Sequence, residues 1–121
     1  VPEGLVSTAD IAPTIAELGG ADRPDHLAGR SLLAMLRQDD PSSPSPGRAL
    51  LSEFGHRLLL ETERYKLVLR SDNRRPLCLF DLLTDPDERH NLIDRDDARA
   101  MLPKLMSRLA EELLPIRGPR G

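Results

Sequence analysis

The stretch Tyr65-Lys66-Leu67-Val68-Leu69-Arg70 alternates between two sets of side chains, and this alternation decides the fold. Successive side chains of a strand point to opposite faces, so Tyr65, Leu67 and Leu69 would share one face. The residues between them, including Lys66, would share the other. The pattern therefore predicts a half-buried strand of a sheet.

Turn signals on both sides predict that this strand belongs to an antiparallel sheet. Gly55-His56-Arg57 is a short turn between two apolar runs, which is typical of a hairpin. The polar segment Ser71–Pro76 forms a second turn, and Thr84-Asp85-Pro86-Asp87 a third. The predicted strands are Ala49–Phe54, Leu58–Glu61, Tyr65–Arg70 and Leu77–Leu82.

Two short helices are predicted near the amino end. Ser7 precedes Asp10 by three residues, an arrangement typical of a helix start, and Gly19-Gly20 supplies a stop. A second short helix is expected through Leu32–Leu36, with Ser31 as its cap.

A longer helix is predicted near the carboxy end, where apolar residues recur at helical spacing. Its cap is expected among the aspartates of Asp94–Asp97, and Pro103 is expected to delay its regular part or kink its first turn. The apolar positions are Met101 or Leu102, Leu105, Leu109 and Leu113, and the residues expected to end the helix are Pro115, Gly118 and Pro119.

The order of elements predicts an α+β fold. It is a small antiparallel sheet of about four strands with the carboxy-terminal helix packed on one face, plus two short amino-terminal helices.

Composition places the chain among globular proteins and excludes several function classes. Of its 121 residues, 39% are hydrophobic and only 2% aromatic, so the core must be built mostly from leucine. A net charge of −3 without strong segregation does not resemble a nucleic-acid footprint. No apolar run has the length of a membrane span, and the single cysteine excludes an internal disulfide. We therefore expect neither a nucleic-acid nor a membrane partner.

Few side chains qualify as carriers of chemistry. Cys78 lies in an apolar strand, which predicts a buried structural thiol. His26 and His90 lie in polar loops and are expected to be solvated or to cap turns. His56 and Arg57 are candidates for substrate binding, because they occupy a strand-end turn where loops commonly meet ligands. A plain hairpin turn is the alternative for these two residues.

The acidic residues around the third turn do not have the pattern of a calcium loop, which requires a glycine at its bend and a later glutamate in register. The sequence also has no Gly-rich phosphate loop and no Ser/His/Asp grouping. The residues themselves therefore predict no catalytic group and no metal ligand.

Two series of motifs resemble the sulfatase family. Residues 6–15, VSTADIAPTI, continue into Leu18-Gly19-Gly20 and Gly29-Arg30-Ser31-Leu32, and resemble the segment that follows the last active-site lysine of the catalytic core. Residues 62–67, TERYKL, are followed by LFDL at 79–82, TDPDE at 84–88 and Asn91-Leu92. This second series resembles the family's carboxy-terminal strand, turn and helix. The order and spacing of the motifs match over nearly the whole chain.

The resemblance implies a parent enzyme of the alkaline phosphatase superfamily that hydrolyses sulfate esters or sulfamates. It implies a formylglycine nucleophile made from Cys or Ser in a C/S-x-P-x-R motif, and a calcium or magnesium ion that neutralises charge on the sulfuryl group. Cys78 is followed by Leu79, Phe80 and Asp81, so it is not the formylglycine precursor. No catalytic residue, metal ligand or cofactor is carried over to this chain.

The resemblance also implies a domain organisation. Residues 1–47 resemble the end of the catalytic domain, and residues 48–121 resemble the carboxy-terminal subdomain. The chain is therefore expected to be a fragment that is inactive alone and whose partner is the missing amino-terminal catalytic domain. The helix bearing Ile11, Ile15 and Leu18 would then expose an apolar face through which a homodimer is expected. The alternatives are a stand-alone interaction module with this fold, and the end of a related phosphonate or phosphate monoesterase.

Overall fold

A computed structural model of the chain describes residues 4–37 and 47–114. The chain divides into two spatial units, residues 1–48 and residues 49–121. The first unit contains a 3₁₀ turn, Thr8–Asp10, and the helices α1, Ile11–Leu18, and α2, Leu33–Arg37. The second unit contains β1, Leu50–Phe54; β2, Arg57–Glu61; β3, Tyr65–Arg70; β4, Pro76–Asp81; and α3, Asp96–Leu113. The predicted α+β fold class is confirmed.

The four strands form one antiparallel sheet in the order β1-β2-β3-β4. The bounds of β3 are those that the alternation predicts. Leu67 and Leu69 of this strand are fully buried, whereas Lys66 and Val68 are partly exposed. A period of two thus produces one buried face and one open face.

Helix α3 covers the buried face of the sheet. One cluster of buried apolar side chains joins the two elements, and Leu105 and Leu109 are the helix residues at its centre. The remaining members of the cluster are Ala49, Leu58, Leu60, Leu67, Leu69, Leu79 and Ala98. The predicted packing of the carboxy-terminal helix on one sheet face is confirmed.

The structure corrects the extent of the first turn. Arg57 is the first residue of β2 and lies opposite Phe54, so only Gly55 and His56 form the turn. Gly55 has a φ of +58°, a conformation that glycine adopts without steric cost. This conformation reverses the chain within two residues.

The structure also corrects the start of α3. Its N-cap is Arg95, whose side chain makes no capping hydrogen bond, rather than an aspartate. Asp96 and Asp97 lie in the first turn instead, where a carboxylate interacts favourably with the helix dipole. Pro103 lies inside the helix and does not delay its start. The expected terminators Pro115, Gly118 and Pro119 lie outside the described residues.

The first unit is organised around the buried carboxylate of Asp10. Arg48 donates two hydrogen bonds to it, both of 2.8 Å. The backbone N–H groups of Ser7 and Arg30 donate two more, also of 2.8 Å. A fully buried charge is tolerated here because both of its oxygens are satisfied by donors. Ser7 also caps the 3₁₀ turn, as predicted.

Gly29 allows a loop to approach this carboxylate closely. Its φ is +91°, and a Cβ atom at this position would lie 2.3 Å from the carbonyl oxygen of Ala9. Next to it, the hydroxyl of Thr14 donates to the Asp10 carbonyl at 2.5 Å and accepts the N–H of Leu32 at 2.9 Å. These contacts join the motif at residues 6–15 to the motif at residues 29–32.

Replacing Asp10 should expose the acid sensitivity of this arrangement. The pKa of Asp10 is lowered from 3.8 to about 2, chiefly by the hydrogen bonds from Arg48. A depressed folded-state pKa stabilises the fold above the unfolded pKa, and the stabilisation is lost as the pH falls through the folded pKa. We expect Asp10→Asn to lower the free energy of unfolding by roughly 2 kcal/mol at neutral pH. Urea titrations should show this difference shrinking as the pH falls from 3.8 towards about 2.

Asp72→Asn is the matched control. The pKa of Asp72 is also lowered to about 2 by an arginine, Arg70, but both side chains of that pair are half exposed. Solvent screens such a pair, so its removal should change stability little at any pH. Equal effects of the two substitutions would contradict the importance of the buried carboxylate.

Truncating the centre of the α3 contact should be costly. Leu105→Ala removes a buried side chain from a core without large aromatics to refill the space, and we expect a loss of about 2–5 kcal/mol in urea denaturation. Leu114→Ala, at the exposed end of the helix, should cost less than about 0.5 kcal/mol. A Leu105→Ala variant as stable as Leu114→Ala would mean that α3 does not cover the sheet.

Candidate functional site

His56 and Arg57 lie at one end of the sheet, and both are exposed. The carbonyl oxygen of His56 accepts a hydrogen bond of 2.9 Å from the N–H of Ser71. Ser71 belongs to the turn between β3 and β4, so the β1–β2 and β3–β4 turns are held side by side. We call residues 54–57 and 70–75 the turn end of the sheet.

A row of three side chains crosses the turn end. Phe54 lies directly opposite Arg57, which in turn lies directly opposite Arg70. Directly opposed residues share one face of a sheet. The row lies on the face away from α3, because the adjacent Leu58 and Leu69 belong to the core. Phe54 is 85% exposed, so its ring projects into solvent.

The two arginines of the row place like charges opposite each other. Such a pair destabilises a sheet by roughly 0.2–1 kcal/mol. Arg70 is compensated by Asp72, whose Oδ2 lies 2.7 Å from its Nη2. Within the described part of the chain, Arg57 has no ion-pair partner. The surplus positive charge of the row is therefore centred on Arg57.

The turn end is the basic end of an electrostatically polarised sheet. Residues 54–57 and 70–75 contain four arginines and one aspartate. At the opposite end, residues 61–64 and 81–88 contain six acidic residues and one arginine. A net charge of −3 for the whole chain conceals this separation, which depends on the antiparallel connections.

Two carboxylates of the acidic end, Asp81 and Asp85, accept hydrogen bonds from nearby groups. Arg64 donates to the carboxylate of Asp81 from Nε at 3.2 Å and from Nη2 at 2.9 Å, which lowers the pKa of Asp81. The backbone N–H groups of Arg89 and His90 donate to Asp85 at 3.0 and 2.8 Å and hold the pKa of Asp85 below its usual range. These bonds close the third turn, so its carboxylates serve local structure.

The remaining sequence candidates do not join the turn end. Cys78 is partly exposed rather than buried, because it lies opposite Val68 on the face that α3 does not cover. His90 is exposed, with Nδ1 3.6 Å from a carboxylate oxygen of Asp85. His26 is exposed and lies in the first unit.

Sequence reasoning did not predict that Phe54 and Arg70 lie beside the candidate residue Arg57. The signal in the sequence was their position, because each is the last residue of a predicted strand and precedes a turn. Only the pairing register, which sets both opposite Arg57, brings them together.

The described residues do not fit a metal centre. Within residues 4–37 and 47–114, no group of three or more His, Cys, Asp or Glu side chains is placed to hold a metal ion. We therefore derive no catalytic step through a calcium or magnesium ion bound to these residues. Across the same residues, no helix has both the length and the apolar character needed to span a membrane.

No family model matches the chain, but curated proteins and solved structures are similar to it. Arylsulfatase K of Bos taurus is 32% identical over 123 residues, which covers 93% of this chain and 22% of the relative. Arylsulfatase K of Homo sapiens is 32% identical and covers 73% of this chain and 18% of the relative. The chain thus spans about a fifth of the length of these curated relatives.

Solved structures share the fold. A structure described as that of a sulfatase from Bacteroides thetaiotaomicron is 26% identical, with a TM-score of 0.68 over 84% of this chain and 23% of that protein. The phosphonate monoester hydrolase of Agrobacterium radiobacter is 27% identical, with a TM-score of 0.63 over 93% of this chain and 25% of that protein. Over most of its length, the chain is similar to the carboxy-terminal region of sulfatases of the alkaline phosphatase superfamily.

Proposed function

We propose that this chain is the carboxy-terminal, non-catalytic part of a sulfatase-type hydrolase that acts on sulfuric esters. The observation that carries the proposal is the match to arylsulfatase K, which extends over 93% of this chain but only 22% of the relative. In this proposal residues 1–47 end the catalytic domain and residues 48–121 are the carboxy-terminal subdomain. The division of the chain into two units after Arg48 supports these boundaries.

The chemistry of the parent enzyme would then come from residues outside this chain. We propose that the parent uses a formylglycine and a calcium or magnesium ion. Cys78 lies outside any C/S-x-P-x-R motif, and the described residues offer no group of metal ligands. The contribution of this chain is therefore structural and, at the turn end, a contribution to substrate binding.

In the parent, His56 and Arg57 would line the edge of the substrate cleft. Both are exposed, and the charge of Arg57 is uncompensated within the described residues. A sulfate ester is an anion, and positive charge beside a cleft raises the local concentration of an anionic substrate.

The proposal also gives a role to the apolar face of α1. Ile11, Ile15 and Leu18 are 53%, 63% and 67% exposed, which is a large fraction for adjacent aliphatic side chains of one helix. In the parent this face would be covered by the catalytic domain. In the isolated chain the same face would pair with a second copy, because exposed apolar patches favour association.

A phosphonate monoester hydrolase parent is the second candidate, favoured by the 27% identity to the Agrobacterium radiobacter enzyme. A stand-alone interaction module is the candidate from another class. The coding sequence upstream of Val1 distinguishes it, because a C/S-x-P-x-R motif there is required by the sulfatase proposal. An aryl sulfate and a phenylphosphonate monoester, assayed with the parent, distinguish the two enzymes.

The isolated chain should not hydrolyse 4-nitrophenyl sulfate in the presence of calcium. In this proposal the nucleophile lies outside the chain, and the described residues contain no group of three or more side chains placed to hold a metal ion, so product release should equal that of buffer alone. Metal-dependent turnover that survives repurification and disappears in a His56→Ala variant would overturn the non-catalytic assignment. An upstream coding sequence without the motif would favour the stand-alone module.

The isolated chain should form a reversible dimer through α1. We expect sedimentation equilibrium at several concentrations to show an increasing average mass, and Ile15→Lys to restore the monomer. Leu83→Lys is the matched control, since Leu83 is an aliphatic residue of similar exposure, 69%, but lies in the second unit. A strict monomer at every concentration would contradict the prediction.

A further inference from the structure

We infer that the outer edge of β1 accepts an extended segment of a partner protein, which adds a fifth strand to the sheet and places an apolar side chain in a cleft beside the end of α3. Strand addition of this kind takes its affinity from main-chain hydrogen bonds and its specificity from pockets for alternate side chains. The inference does not depend on the proposed function, because it concerns a sheet edge and an apolar cleft rather than a hydrolytic reaction.

The two edges of the sheet differ in how their backbone groups are paired. At the β4 edge, Asn91 accepts a hydrogen bond of 3.0 Å from the N–H of Leu79 and donates one of 3.2 Å to the carbonyl oxygen of Leu77. The N–H of Leu92 donates to the carbonyl oxygen of Leu79 at 2.8 Å. The segment that follows β4 therefore closes this edge.

The edge formed by β1 is open among the described residues, since the backbone of this strand hydrogen-bonds only with β2. Phe54 and Arg57 flank a two-residue turn, and residues in that position form a hydrogen-bonded pair. Hydrogen-bonded pairs alternate along an antiparallel ladder, so Phe54 and Ser52 direct their backbone groups towards β2. Leu51 and Glu53 direct theirs away from the sheet. Two N–H donors and two carbonyl acceptors are thus available to an added strand.

A cleft of about 170 Å³ opens beside these backbone groups, on the face of the sheet that α3 covers. Cavities of about 150 Å³ with apolar walls accept a benzene-sized group, so this cleft has room for the side chain of a leucine. A residue of the added strand directly opposite Glu53 would lie on this face, with its Cβ atom about 5 Å from that of Glu53. An apolar side chain at this position would enter the cleft. The lining residues are Leu51, Ser52, Glu53, Leu58, Arg74 and Leu113.

The neighbouring side chains of β1 define the other positions of the added strand. Phe54 is 85% exposed on the open face, and an apolar residue directly opposite it would cover its ring. Glu53 is exposed and has no ion-pair partner within the described part of the chain. A lysine opposite Leu51 would be a diagonal neighbour of Glu53, about 7–8 Å away between Cβ atoms and within reach of its carboxylate. The partner is therefore an antiparallel segment in which two apolar residues, a small polar residue and a basic residue follow one another.

The inference is tested on the ¹⁵N-labelled Ile15→Lys variant, in which association through α1 does not contribute. It is titrated with the peptide acetyl-Thr-Val-Leu-Thr-Lys-Thr-amide, whose valine, leucine and lysine would lie opposite Phe54, Glu53 and Leu51. At millimolar peptide, the amide signals of Leu51 and Glu53 should shift and exchange more slowly with solvent, whereas the signal of Leu79 should not change. Shifts confined to other residues, or no shift at all, would overturn the inference.

Two altered peptides separate main-chain pairing from side-chain contact. Methylation of the leucine and lysine amide nitrogens removes the two N–H donors that face β1 and should abolish binding. Replacing the leucine by aspartate sets a charge against the apolar cleft and should weaken binding roughly tenfold or more. Equal binding of the methylated and unmethylated peptides would show that the strand edge is not the docking surface and would overturn the inference.

Substitutions in β1 provide the matched test in the protein. Glu53→Pro removes an outward N–H and is compatible with an edge strand, so the sheet should remain while peptide binding is lost. Glu53→Gln is the control, because it removes only the charge and should weaken binding by less than about fivefold. A folded Glu53→Pro variant that still binds would overturn the inference, and if this variant does not fold, the methylated peptide decides. Signals of Leu51 and Glu53 that shift with protein concentration alone would show that a second copy occupies the edge, which would overturn the assignment to a partner protein.

Discussion

The register of the sheet is set by four fully buried leucines, which are Leu60, Leu67, Leu69 and Leu79. Because the side-chain period of a strand is two, a slip of one residue would replace this apolar set with side chains such as Lys66. Few aromatic rings are present to fill gaps, so the leucines must be matched closely by α3. The same register places Phe54, Arg57 and Arg70 in one row on the open face, so the candidate site follows from packing on the buried face.

The first unit depends on different physics. Among its described residues few apolar side chains are buried, and its organising group is the Asp10 carboxylate. This carboxylate receives donors from three separate parts of the chain. Hydrogen bonds of this kind require particular donors at particular positions, whereas leucine packing tolerates exchange among similar residues. This difference explains why the recognisable motif of the first unit is polar and small, with Gly29 admitting the loop. It also explains why the apolar residues of α1 remain available for another surface.

The sequence was sufficient to predict the α+β class, the bounds of β3 and the side of the sheet that α3 covers, because period-two and helical patterns are strong where one face is buried. The sequence was insufficient to predict the first and last residues of the elements, where several neighbouring residues are equally able to begin a strand or cap a helix. Arg57 is the first residue of β2, and Arg95 is the N-cap of α3. Cys78 was predicted to be buried because its neighbours in the strand are apolar. It is partly exposed, since α3 covers one face of the sheet and Cys78 lies on the other. The neighbours of the candidate residues could not be predicted, since His56 and Arg57 are local to one turn, whereas Phe54 and Arg70 lie beside Arg57 through pairing between strands.

The turn end contains two features that do not stabilise the folded state. A cross-strand arginine pair opposes sheet formation, and a phenylalanine with 85% of its surface in solvent gains almost nothing from folding. The leucine core does not require either feature, because both lie on the face that α3 leaves open. Where local choices disagree with the stability of the fold, binding is the usual physical reason, since a ligand can supply the missing counter-charge and cover the exposed ring.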